Sequence, residues 1–297
     1  IRLVRRLRPA VVVGLGGYAS VPCVIGAVLW RVPIVVAEQN AVPGAANRLA
    51  GRFAKACAVS FDGVDLPNAI WTGNPVRPEV RALATPDPDR RASARQAFGV
   101  PDDHVFFAIF GGSLGAGRIN HAAADAAPRW SDRDAITIRH ISGTRDHAAI
   151  AKRLDLPADA AFTHQLIEFE DDMPTVYAAA DFVVCRAGAS SVAEVAVAGL
   201  PSVLVPLPGA PGDHQTANAR ALVDAGAAVL VVDGELDADR FAAEVDRLVD
   251  DPDRLASMAA AASSVARPDA AVAVVDLVDQ HASRPRPNSA SPEGTPR

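Results

Sequence analysis

The apolar residues of this chain gather in short unbroken runs separated by stretches of helical spacing. The runs are Val11–Val13, Ile34–Ala37, Cys57–Ser60, Val105–Phe110, Ile136–Ser142, Phe182–Cys185, Ser202–Val205 and Ala228–Val232. Strands that are covered on both faces read as continuous apolar runs rather than alternating ones, and their regular exchange with helical segments marks βαβ units in parallel sheets. The pattern breaks at Gly73-Asn74-Pro75-Val76-Arg77-Pro78 and again at the polar Thr85-Pro86-Asp87-Pro88-Asp89. The expected division is therefore 1–76, a partial first domain with about three strands; 77–282, a complete α/β domain; and 283–297, a disordered tail rich in Pro, Ser and Arg.

Composition narrows the class. With 297 residues and 49% hydrophobic content the chain can bury two ordinary cores. A formal net charge of −6 argues against nucleic acid as a partner, which normally needs a basic face. Of the 29 basic residues only Lys55 and Lys152 are lysines, so isolated arginines carry little weight as functional signals. Cys23, Cys57 and Cys185 are odd in number and far apart, which supports neither a disulfide framework nor a zinc site and fits a reducing cytoplasm. No apolar run reaches the roughly 18 to 20 residues of a membrane span, and no signal peptide is visible. The chain opens at Ile1 in what reads as the middle of a helix, so further sequence upstream is expected.

Three turns carry candidate chemistry, each following an apolar run and opening a helical segment. Ile109-Phe110-Gly111-Gly112-Ser113-Leu114-Gly115-Ala116-Gly117 has the glycines that let backbone amides close on a diphosphate at a helix N-terminus. Its plain alternative is an ordinary glycine-rich βα turn. Cys185-Arg186-Ala187-Gly188-Ala189-Ser190-Ser191-Val192-Ala193-Glu194 leaves room for a ligand, and Glu194, expected in the first helical turn, is suited to a ribose diol or else to the helix macrodipole. Val205 to Asn218 supplies the third turn. All three lie at the carboxyl ends of predicted parallel strands, where open α/β sheets bind ligands. A fourth turn, Gly14-Leu15-Gly16-Gly17-Tyr18-Ala19 with Glu38 about twenty residues on, also fits a dinucleotide fingerprint and so a nicotinamide-dependent oxidoreductase.

These motifs, taken together and in order, resemble the MurG family. The resemblance rests on Gly14 to Pro22, Glu38-Gln39-Asn40 with Gly44 and Asn47-Arg48, Gly73 to Arg77, Gly111 to Ala116, Asp172-Met173, and the run from Asp181 to Asn218. It extends from about Pro9 to Val232. It implies two Rossmann-like domains of the GT-B glycosyltransferase type, with the first incomplete here, and a metal-independent inverting transfer that needs no cofactor. The implied donor is UDP-N-acetylglucosamine and the implied acceptor is lipid I, at the cytoplasmic face of the cell membrane.

Carried over by position, Ser113 with Gly111, Gly112 and Gly115 would hold the diphosphate, Glu194 the ribose and Gln215 the sugar hydroxyls. Ala189, Ser190, Ser191, Val192 and Ala193 would line the pocket, and Asn40 and Arg77 would reach it from the first domain and the linker. Glu170 stands where the family meets uracil with a residue that is usually apolar. Ala37 replaces the family histidine before Glu-Gln-Asn. The family's first glycine-rich loop, with its candidate basic histidine, would lie upstream of Ile1. That leaves Glu38 as the carboxylate in a matching motif for a catalytic base, with a structural acid at a strand end as the alternative. It also leaves open a catalytically silent UDP-sugar-binding fragment. The opening Ile1-Arg2-Leu3-Val4-Arg5-Arg6-Leu7-Arg8 is suited to an anionic membrane surface or to a solvated face. His121, His140, His147 and His164 have no ligand spacing and read as structural or surface residues.

Overall fold

A computed structural model describes residues 1–112 and 115–283 and contains two separate parallel sheets, each flanked by helices. In the first unit, α1 (Arg2–Leu7), β1 (Val12–Gly14), α2 (Val21–Leu29), β2 (Ile34–Glu38), α3 (Ala45–Gly51), β3 (Ala56–Val59) and β4 (Ala69–Trp71) follow one another. The strands pair in the order β1-β2-β3-β4. A linker carries α4 (Pro78–Arg81) and α5 (Pro88–Ala97). The second unit runs β5 (Val105–Phe110), α6 (Gly117–Ala126), β6 (Ile136–Ile141), α7 (His147–Arg153), β7 (Thr163–Ile167), α8 (Met173–Ala179) and β8 (Phe182–Cys185). It continues with α9 (Ala189–Val197), β9 (Ser202–Leu204), α10 (His214–Asp224), β10 (Ala228–Leu230), α11 (Ala238–Val249), α12 (Pro252–Val265) and α13 (Ala270–His281).

Aspartates set several of the helix starts. Asp87, Asp172, Asp237 and Asp251 each accept a hydrogen bond from a backbone amide two or three residues on, and Pro88, Met173-Pro174 and Pro252 supply a proline in the first turn. The central strands are apolar because both faces are covered. Phe106, Phe107, Ile109, Phe182 and Val184 are fully buried, and the Phe107 and Phe182 rings stack at 4.6 Å.

Two strands go beyond the sequence reading. The first sheet has four strands rather than about three, because Ala69–Trp71 adds an edge strand that is short and partly exposed. Thr163–Ile167 forms the opposite kind of surprise, a polar edge strand in the second sheet with no fully buried residue. Edge strands need no apolar run, since one side of each is free.

The second sheet is ordered β10-β9-β8-β5-β6-β7. From β5 the chain winds outward through β6 and β7, then crosses back to lay β8 on the other side of β5. The two last residues, Phe110 and Cys185, stand side by side in register. This is a topological switch point, where the loops leaving β5 and β8 part in opposite directions and leave a crevice.

The end of the chain rejoins the first sheet. Segment 252–281 has the length and mean hydropathy of a membrane span, but it is two helices broken at 266–269. Helix α12 packs on α9, α10 and α11, whereas α13 packs on β2 and β3, where Leu277 meets Ala56 and Ala58. The expected segment 77–282 thus contains a helix that covers the first sheet. At the crossing, the Arg267 guanidinium lies 3.7 Å over Trp71 and its stem closes on Gly73 (φ +84°), so the two interdomain strands of chain touch.

Candidate active site

The glycine turn after β5 begins with Gly111 and Gly112 (φ +91°) and ends with Gly115 (φ +77°) and Ala116, the residue that caps α6. A Cβ on Gly115 would stand 2.3 Å from the Ser142 carbonyl oxygen, so backbone crowding as well as φ demands glycine there. Asn120, fully buried, ties this end down by donating to the Ser142 carbonyl (2.8 Å) and to Asp146 Oδ2 (3.1 Å). Ser113 of the expected diphosphate set lies outside the described residues.

Across the switch point, Ala189, Ser190, Ser191, Val192 and Ala193 form the first turns of α9, with Gly188 as its cap. Glu194 is the sixth residue of that helix, in its second turn rather than its first, so the N-terminal dipole does not account for it. Its carboxylate has specific neighbours instead. Oε2 accepts from the Tyr177 hydroxyl at 3.0 Å, and Oε1 lies 3.7 Å from Nε of Arg77. The structure therefore brings together the linker arginine and the carboxylate that sequence reasoning placed in one site. Tyr177 itself gave no sequence signal.

The third turn, after β9, is shaped by Gly212 (φ +64°) and Asp213 (φ +52°) before α10. Gln215 folds back so that its Oε1 accepts from the Leu207 amide at 2.9 Å. Asn218, one turn further, is fully buried and bridges the two units. Its Oδ1 accepts from the Ala41 amide (2.8 Å), and its Nδ2 donates to Asn40 Oδ1 (3.2 Å) and to the Ala187 carbonyl just before α9 (3.2 Å). Asn40 is thereby held at the second unit.

Glu38 organises the loop that carries Asn40. Its Oε1 accepts from the Asn40 amide (3.0 Å), and its Oε2 from the Gly44 amide (3.0 Å) and from Asn47 Nδ2 (2.8 Å). The residue is only 4% exposed. This arrangement is a loop clamp, and it leaves the Glu38 carboxylate buried with its oxygens taken by protein donors. The oxidoreductase expectation loses its acidic partner accordingly.

Glu170 is likewise engaged. Its carboxylate accepts from Arg139 (Nε at 2.9 Å, and Nη2) and from the Asp172 amide (3.0 Å). Arg139 also stacks over Phe98 at 4.0 Å. Of the histidines, His140 is fully buried, with Nε2 against Asn120 Oδ1 and Nδ1 against His164 Nε2. Burial pushes His140 down to about 3 and His164 down to about 4. Burial also raises the Cys185 thiol to about 12, which keeps it inert. Among the described residues no cluster of His, Cys, Asp or Glu has metal-binding geometry.

A cavity of about 390 Å³ opens between the two units, lined among others by Ser60, Trp71, Asn74, Ala193, Arg220 and Arg267. A larger one of about 580 Å³ lies under the linker between Thr85 and Arg91, against Asp181 and Pro201. That second cavity is at the amino-terminal ends of β8 and β9, away from the three turns.

Residues 1–59 match the glycosyltransferase family 28 N-terminal domain, and residues 106–274 match the glycosyltransferase family 28 C-terminal domain. With the two parallel-sheet units, this defines a two-domain glycosyltransferase of the GT-B type. A UDP-N-acetylglucosamine:N-acetylmuramyl-(pentapeptide) pyrophosphoryl-undecaprenol N-acetylglucosamine transferase of Nocardioides sp. is 42% identical over 265 residues, covering 89% of this chain and 71% of the relative. The corresponding transferase of Anaeromyxobacter dehalogenans is 41% identical over 281 residues, covering 93% and 70%. The crystal structure of Acinetobacter baumannii MurG superposes with a TM-score of 0.79 at 32% identity, covering 94% of this chain and 76% of that one. The chain belongs to the MurG family.

Proposed function

We propose that the protein transfers N-acetylglucosamine from UDP-N-acetylglucosamine, with inversion, to the muramoyl 4-hydroxyl of lipid I, giving lipid II for peptidoglycan. The observation that carries this reading is the meeting of two glycine-bearing turns at the β5–β8 switch point, with the Asn40 loop clasped onto the second unit beside them. The relatives of Nocardioides sp. and A. dehalogenans are transferases of this donor sugar to an acceptor of this class.

In this reading Gly111, Gly112 and Gly115, with Ser113, receive the diphosphate. The N-termini of α6 and α9 point partial positive charge at the same crevice, which offsets the charge that develops on the departing UDP without a metal. Glu194 takes the ribose hydroxyls, the first turns of α9 line the pocket, and Gln215 with Asn40 orients the sugar. Arg77 faces Glu194 from the linker. Uracil meets the backbone around Glu170, because that carboxylate is tied to Arg139. Glu38 holds the Asn40 loop in shape and does not take the acceptor proton, since it is buried and its two oxygens already accept four hydrogen bonds.

The acceptor is membrane-bound, and a docking face for it is supported by α1 and α2. Leu3, Leu7, Ile25, Leu29 and Trp30 are exposed there, and Arg5 lies over Trp30 at 5.3 Å. Apolar side chains ringed by arginines suit an anionic bilayer at the cytoplasmic face. A second reading, donor binding without transfer, is favoured by the engagement of Glu38. Incubation with labelled UDP-N-acetylglucosamine and a short-chain lipid I separates the two. Labelled disaccharide-lipid is the expected product, and UDP binding without labelled lipid overturns the transferase assignment for this chain.

A further inference from the structure

Glu194 rests against a side chain that none of the site motifs includes. Tyr177 comes from α8, seventeen residues earlier, and its ring is buried at 3% exposure with Phe110, the last residue of β5, at 6.0 Å between centroids. From this position its hydroxyl donates to Glu194 Oε2 at 3.0 Å. The other carboxylate oxygen faces Arg77. A phenol at that depth stays protonated. Burial pushes it well above its ordinary value, and the Glu194 charge pushes it in the same direction. Its proton is the one it gives to the carboxylate, and the other lone pairs of Glu194 stay available to a ligand.

A ribose diol needs a carboxylate in one plane, because its two hydroxyls donate as a pair. A glutamate on a helix surface has three side-chain torsions to fix, each with an entropic cost on binding. A buried donor that locks one oxygen removes most of that cost beforehand. Each carboxylate oxygen can accept more than one hydrogen bond, so Tyr177 does not compete with the ligand.

We propose that Tyr177 is a positioning residue that fixes the Glu194 carboxylate for a nucleotide ribose, and so sets the preference of the site for ribonucleotide over 2′-deoxyribonucleotide diphosphates. The inference rests on the reading of Glu194 as the ribose ligand. Tyr177→Phe keeps the ring packed on Phe110 and removes only the hydroxyl.

The test is calorimetric titration of the whole chain, its Tyr177→Phe variant and its Glu194→Ala variant with UDP and with dUDP. The expected result is that Tyr177→Phe weakens UDP about tenfold, in line with the ordering of one flexible side chain being moved back into the binding step, and weakens dUDP, which keeps one of the two hydroxyls, by clearly less. The preference then narrows toward that of Glu194→Ala. A preference unchanged in Tyr177→Phe but lost in Glu194→Ala overturns the positioning role and keeps the ribose reading. A preference retained in Glu194→Ala overturns both.

A second measurement covers the case in which Tyr177→Phe does not fold. The chain has two tyrosines, and the other, Tyr18, is 88% exposed. Uniform 3-fluorotyrosine labelling therefore gives one buried and one solvent-exposed fluorine signal. The buried signal is expected to shift on addition of UDP and to shift less on addition of dUDP, which keeps one of the two hydroxyls. Equal shifts with both ligands overturn the proposal.

Discussion

Glu38 is a glutamate at the end of a parallel strand, a position that invites a catalytic reading, yet its surroundings make it structural. Four donors converge on it, two of them backbone amides. Glu38→Gln puts an amide NH₂ where donors already point. The expected cost is about 2 to 3 kcal/mol, seen as a lower denaturation midpoint of the first unit in urea, with UDP affinity of the second unit retained. A full-strength midpoint with abolished transfer would instead mark Glu38 as the base. The His140–His164 pair yields a pH prediction. Both have folded values pushed below that of free histidine, to about 3 and about 4, so each folds in its neutral form. Their stabilising neutrality is complete above about pH 6.5 and is lost as pH falls toward the folded values, by up to about 1.4 kcal/mol per pH unit for each histidine. Chemical denaturation between pH 7 and pH 4.5 should show this slope, and His164→Leu should flatten it. At this scale the sequence was partly readable. Glu194, Asn40 and Gln215 stand in motifs with a recognisable turn before them, whereas Tyr177 and Asn120 act through partners 17 to 26 residues away and share their residue types with ordinary core positions.

Among the elements, the glycine turns and the apolar strands were legible because each has a local cause. Unbroken runs such as Val105–Phe110 and Phe182–Cys185 coincide with strands to the residue, since burial on both faces leaves no polar position to blur their ends. Ala69–Trp71 and Thr163–Ile167 were not legible, because an edge strand obtains its pairing from a neighbour and needs no pattern of its own. Glu194, expected in the first turn of α9, sits in its second because the helix already begins at Ala189, directly after its cap Gly188. The turn after β5 is sensitive to substitution. Gly115→Ala adds a methyl 2.3 Å from the Ser142 oxygen at φ +77°. The backbone must shift, and UDP affinity is expected to fall at least about tenfold, on the order of 1.4 kcal/mol or more, measured by calorimetry with the melting temperature as a check on folding.

At the level of the whole molecule, the two units share a buried apolar cluster and are tied by specific polar contacts. Asn218 bonds both the Asn40 side chain and the Ala41 backbone, and Gly212 lies against Val42. If this clasp holds the cleft in its working geometry, Asn40→Ala and Asn218→Ala disrupt one unit and do not add. A double-mutant cycle on the transfer rate should show coupling of about 0.5 to 3 kcal/mol. Additive effects would mean that the two asparagines act separately. The other connection is α13, whose Leu277 sits on Ala56 and Ala58. Leu277→Ala should loosen that cover by about 2 kcal/mol, and hydrogen exchange in β2 and β3 should rise while the second sheet stays protected. Neither the clasp nor the returning helix was visible in the sequence, since each joins positions more than 170 residues apart.

That returning helix reverses the usual order in which a ribosome releases finished pieces. Domains made first ordinarily fold first. Here β1 to β4 emerge early, but the helix that covers β2 and β3 is translated only after every strand of the second sheet. The later unit can settle while its predecessor waits with one face bare, within reach of a chaperone or of another nascent chain. Protease protection of stalled chains should therefore appear over 105–265 before it appears over 34–71.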